Sequence, residues 1–255
     1  MKRWNCSGFM RVVPVLLLVT GLTACVYTRL LSVKNQLSDF DKNFGVRVTG
    51  GQFILDFRHP VLYDEDFVTL THLNPARVAP LPQGHQWFLD FSPESAAASL
   101  ERPPQKITFT MTFGADHKLQ SWGFSPLFLQ MAPPAFLEAS IRSLGKGTIL
   151  QSHRQLKVDY HDLPRIEAAP PGLDEVVKAL GQPGEIQRKD ALDVYVYRFR
   201  ADSSATDSDY EARRLAEAKL YMDPASRRLV KMSSRFAGLK ISIDYRKMST
   251  THVTR

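Results

Sequence analysis

The chain has 255 residues, 44% of them hydrophobic, with 33 Lys and Arg against 26 Asp and Glu and only two cysteines. That length supports one large domain or two small ones around a proper apolar core. Cys6 and Cys25 both sit near the start, which leaves the bulk of the chain without a thiol for a disulfide, a thiolate metal centre or a cysteine nucleophile, so its stability must come from packing.

Lys2, Arg3 and Arg11 precede an apolar run over residues 12 to 20, a charged region followed by a hydrophobic one of export-signal length. The run is too short for a bilayer core, which needs roughly 20 residues in helical form, and no later run is longer. Leu22, Thr23, Ala24 and Cys25 follow directly. This segment resembles the signal peptide and lipobox of bacterial lipoproteins. The resemblance implies cleavage between Ala24 and Cys25, a diacylglycerol on the Cys25 thiol and acylation of the new amino terminus. Two or more acyl chains hold a soluble body stably on a membrane. Residues 1–24 would then be removed, and membrane lipid would be a partner through the acylated end. Val26, not aspartate, follows the cysteine; the sorting behaviour of such lipoproteins then implies the periplasmic face of the outer membrane over the inner membrane. An ordinary secretory signal cut elsewhere, or an uncleaved anchor, is the simpler alternative.

Residues 25–45 read as a lipid-anchored helix. Leu30, Val33, Leu37, Phe40 and Phe44 recur at spacings of three and four, with Lys34, Asn35, Ser38, Asp41 and Lys42 opposite and Gly45 as the stop. The apolar face packs on its own domain, or on a partner or membrane surface. Residues 46–162 form a β-rich half ending in helix, turn and strand. Its clearest strand is residues 106 to 113, where Ile107, Phe109, Met111 and Phe113 alternate with threonines. Further strands are expected at residues 52–58, 67–73, 86–91 and 119–124, with loops at 74–84 and 92–105.

Leu137, Ile141, Leu144 and Gly145 match Leu173, Val177, Leu180 and Gly181 at an offset of 36 residues, each set reading as a short helix ending in Leu-Gly, then a turn and a strand. The glycines suit left-handed helix ends. Residues 163–172 read as a proline-rich linker. Residues 173–248 form a helix plus β-meander half with strands at 192–200, 218–222, 229–236 and 239–245, and residues 249–255 are a tail. Leu180, Gly181, Gln182 and Pro183, followed by Tyr195 and Tyr197 and a meander, faintly resemble the small lipoprotein of the outer-membrane barrel-assembly machinery over about 75 residues. That resemblance implies fold alone. The fold class expected is α+β: an amphipathic amino-terminal helix, mostly antiparallel curved sheet and two short helices on one side, as one continuous sheet or two similar lobes.

Catalytic spacings such as His-Glu-x-x-His, Gly-x-Ser-x-Gly and Gly-x-Gly-x-x-Gly do not occur. Gly145, Lys146, Gly147 and Thr148 read as a helix stop, because a phosphate loop opens a helix. Of the histidines, only His153 with Asp159, His161 and Asp162 forms a local group able to ligate a metal or act as a general base. Asp64, Glu65 and Asp66, and likewise Asp202, Asp207 and Asp209, read as solvated turns. Trp87, Phe88, Phe91, Trp122, Phe124, Phe128 and Phe136 can build a core or line an apolar cavity. Residues 211–255 carry a net charge of +7, which suits a solvated sheet face or contact with anionic headgroups or an acidic partner.

The chain therefore reads as a non-catalytic, membrane-tethered envelope lipoprotein with an envelope protein partner and neither nucleic acid nor cofactor. A carrier of lipid or another apolar ligand, and an envelope hydrolase using His153 or His161, are the alternatives.

Overall fold

The computed structural model describes residues 25–94, 105–150, 155–157 and 165–250. The fold is α+β, built on a curled antiparallel half-barrel. Helix α1 spans residues 25–38 and breaks at Asp39 before the single turn of α2 (Phe40–Asn43). The expected helix to Phe44 is thus shorter, and Gly45 is no helix stop: Phe44 opens strand β1 (Phe44–Thr49), where Gly45 faces Asp56 of β2 (Gln52–Phe57).

Helix α3 (Asp64–Thr71) replaces the strand expected at 67–73. The acidic triplet decides this locally. Asp66 accepts the Tyr63 N–H at 2.9 Å, satisfying a helix-start donor, and three carboxylates favour the positive end of the helix dipole. Phe67, Leu70 and Thr71 then fall on one face, and His72 in the left-handed region (φ 57°) ends the helix. The loop expected at 74–84 holds a further strand, β3 (Arg77–Leu81), which an edge position allows despite Pro80.

Strands β4 (Gly84–Pro93), β5 (Ile107–Phe113) and β6 (Leu119–Phe124) follow, then α4 (Pro126–Leu129), α5 (Pro134–Lys146) and a separate two-stranded ladder of β7 (Thr148–Leu150) with β8 (Gln155–Lys157). Helix α6 (Leu173–Leu180) leads to β9 (Glu185–Lys189) and β10 (Leu192–Ala201). A 3-10 helix (Ser208–Arg214), β11 (Leu215–Asp223), β12 (Arg228–Phe236), β13 (Leu239–Asp244) and α7 (Tyr245–Met248) complete the described chain.

Eleven strands form one sheet in the order β1-β2-β6-β5-β4-β10-β11-β12-β13, with β3 on β4 and β9 on β10. The predicted halves are therefore not separate lobes, although their junction is narrow. It consists of Phe91, Ser92 and Pro93 paired with Ala201, Arg200 and Phe199. One core crosses it, with Phe236 of β12 meeting Phe91 at 5.1 Å and Phe109 at 5.4 Å in edge-to-face geometry. Each such pair adds about 0.5–1.5 kcal/mol beyond area burial.

Residues 165–172 are no free linker. The Ile166 N–H donates to Met248 O, Pro171 O accepts from Leu229 N, Pro170 and Pro171 are buried, and Gly172 bridges Arg228. The two Leu-Gly pairs also differ. Gly181 has φ +81° and ends α6, as expected. Gly145 lies inside α5, where a Cβ would strike the Leu37 carbonyl, so its small size lets α5 cross the end of α1.

Candidate functional site

The half-barrel curls around an apolar cavity of about 340 Å³, within the roughly 300–1,000 Å³ typical of small-molecule sites. Leu30, Val33 and Leu37 of α1 roof it, at the helical spacing that the sequence sets. Phe67 and Leu70 of α3, with Ile141 and Leu144 of α5, form its flanks. Its floor includes Leu55, Met111, Trp122 and Phe124, neighbours across β2, β5 and β6 because Met111 and Leu55 both pair with Trp122.

Polar groups in the lining are few and mostly engaged. The Thr71 hydroxyl donates to Phe67 O at 2.6 Å and accepts from Leu73 N at 3.2 Å, and Ser242 Oγ donates to Met232 O at 3.3 Å. Trp122 differs: its ring stacks on Phe124 at 5.3 Å and meets Phe67 edge-on at 6.1 Å, while its buried Nε1–H has no partner among the described residues. A buried unpaired donor costs about 1–3 kcal/mol.

The roof is clasped at both ends. Arg29 of α1 forms a two-pronged pair with Asp66 of α3, with Nε to Oδ2 at 2.7 Å and Nη2 to Oδ1, and lies over the Tyr63 ring. Hydrogen bonding to Asp66 raises the Arg29 guanidinium further above its ordinary range. Arg142 of α5 donates to Asp41 at 2.7 Å and to Glu138 at 2.8 Å, and stacks over Phe40 at 4.0 Å. Its hydrogen bond holds the Asp41 carboxyl below the usual range. The expected solvated turn at 64–66 is thus corrected: Asp64 and Asp66 are buried, and Asp66 anchors the roof.

Beside α3, Asp64 Oδ2 meets His117 Nδ1 at 2.7 Å and His85 Nε2 at 3.1 Å. The hydrogen bond to Asp64 raises the His117 pKa above its ordinary 6.5. Sequence reading misses this trio, since its members lie far apart and meet only through the α3 start, the β4 start and the β5–β6 turn.

Of the seven aromatic residues singled out, Trp122 and Phe124 line the cavity, whereas Phe91, Phe128 and Phe136 are fully buried core. Trp87 packs on His85 and Phe113, and Phe88 lies under Arg77 at 4.0 Å. Asp202 is paired with Ser92 and Lys106, and Asp207 caps the 3-10 helix. Lys146 ends α5 and Gly147 caps it. Cys25 is exposed at the start of α1; Ala24 and the group His153, Asp159, His161 and Asp162 lie outside the described residues. In the basic end, Lys219 meets Glu217 at 3.0 Å, and Arg227 meets Asp174, an acid from outside that end, at 2.6 Å. Among the described residues, no helix is long and apolar enough to cross a membrane. No family model, curated protein or solved structure matches this chain.

Proposed function

We propose that this chain is an envelope lipoprotein, tethered through acylated Cys25 to the periplasmic face of the outer membrane, that carries an apolar ligand under helix α1. The observation that carries the reading is the cavity: about 340 Å³ of apolar space inside a curled sheet, roofed by the helix that Cys25 begins. At roughly 30 Å³ per water-sized group, it holds on the order of ten methylene-sized groups.

Native mass spectrometry tests this on chain expressed without residues 1–24 and with Cys25→Ser, purified free of detergent. A copurified lipid, or one-to-one uptake of an added fatty acid, supports the proposal. Neither copurified ligand nor uptake would refute it. A binding or assembly module is the second reading, favoured by exposed Val48, Val78 and Ile186 on strands β1, β3 and β9. Crosslinking in the native envelope checks that reading by identifying a protein at those strands.

A further inference from the structure

The ligand atoms of Asp64, His85 and His117 all lie within 4.8 Å of one another, and we infer that they form a divalent-cation site that takes Zn2+. The inference stands independently of the cavity reading. Two imidazoles and one carboxylate are the donor set of zinc sites that keep a fourth position for water. Tetrahedral Zn2+, at about 2.0–2.1 Å from nitrogen and 2.0–2.2 Å from oxygen, sets its ligand atoms roughly 3.3 Å apart. The separations of 2.7 Å and 3.1 Å about Asp64 Oδ2 need to open by about 0.6 Å and 0.2 Å to reach that spacing.

The surroundings orient the ligands as second partners do in metal sites. The Glu65 N–H donates to Asp64 Oδ1 at 2.8 Å, leaving Oδ2 for the cation. The His85 ring stacks on Phe113 at 5.2 Å and 22°, which fixes its plane. The His117 backbone sits at φ +62°, in the turn that brings its Nδ1 back over the start of α3, and its side chain is largely exposed on the outer side. Glu65 and Asp116 add negative charge, while Lys118 is drawn off to Asp116 at 3.3 Å. Zn2+ takes the lone pair of an unprotonated ring nitrogen from each imidazole, so protonation of either ring competes with the cation and uptake weakens as pH falls. Bound metal would pin α3, which flanks the cavity through Phe67 and Leu70, to the β5–β6 turn.

The test uses the full chain stripped with EDTA, titrated with Zn2+ by calorimetry and with Co2+ as a visible-absorption probe. One cation per chain, with d–d bands for Co2+, is expected. His117→Gly removes only an exposed ring at a backbone conformation that glycine adopts freely, and should weaken Zn2+ by at least about 100-fold. His85→Ala should do the same, and His59→Ala should change nothing. Zn2+ should raise the melting temperature of the parent chain but not of His117→Gly. Uptake unaltered by His117→Gly, or none at millimolar Zn2+, overturns the inference.

Discussion

Ser140→Phe separates a functional cavity from a packing defect. Ser140 sits on α5 in the cavity lining, and its hydroxyl engages no partner among the described residues. The substitution therefore removes no bond and leaves helix propensity nearly unchanged. A phenyl ring placed there displaces much of the 340 Å³. Burying a Phe side chain is worth about 1.5–3 kcal/mol, less some rotamer entropy, so a net gain of about 1–2 kcal/mol is expected. For a domain of this size that is roughly 2–8 °C in melting temperature. Affinity for a fluorescent fatty acid should fall at least tenfold, about 1.4 kcal/mol, because ring and ligand compete for the same space. Thermal melts and probe displacement read both quantities on one preparation. Unchanged affinity would show that the ligand binds elsewhere, and a lowered melting temperature would show that the space cannot accept a ring. Either result refutes the reasoning.

Cys25→Ser should move the chain out of the membrane fraction and abolish the acylated amino terminus, checked by fractionation and intact mass. Arg29→Ala leaves Asp66 buried without its cation and should destabilise the roof by about 3 kcal/mol, seen as faster hydrogen exchange across α1 and α3. Gly145→Ala drives a methyl into the Leu37 carbonyl and should cost about 1–3 kcal/mol by overpacking, measured by denaturant titration. Because the folded pKa of His117 is raised, its contribution to stability is full below pH 6.5 and is lost as pH rises through the folded value; His117→Gly should flatten that decline in melting temperature. Asp41 and Glu185, whose folded values are lowered, act oppositely and lose their contribution as pH falls through them.

Period and turn chemistry made much of this architecture legible. Strand β5 follows from Ile107, Phe109, Met111 and Phe113 alternating with threonine, and the cavity roof from Leu30, Val33 and Leu37 at helical spacing. Failures arose where tertiary context overrode local signal. Residues 67–73 read as strand, yet the Asp66 bond to the Tyr63 backbone starts a helix there. Prolines hid β3, which pairs only along the edge that β4 offers it. Gly145 matched Gly181 in sequence while meeting a different demand, since only the crossing of α1 and α5 reveals it. The cavity itself was legible only as an excess of aromatic residues, and its lining depends on which strand faces turn inward. His85 and His117 carried no signal, because 32 residues separate them and only the curl of the sheet brings them to Asp64.

The seam between β4 and β10 has a mechanical consequence. Elsewhere in the sheet the ladders run from four to eight residue pairs, whereas the ladder between β4 and β10 has three. Backbone bonds flank that ladder, from Glu94 N–H to Arg198 O and from Asp202 N–H to Asp90 O, each at 2.9 Å. Moving one flank against the other therefore has to separate Phe236 from Phe91 and Phe109 as well as open the backbone ladder.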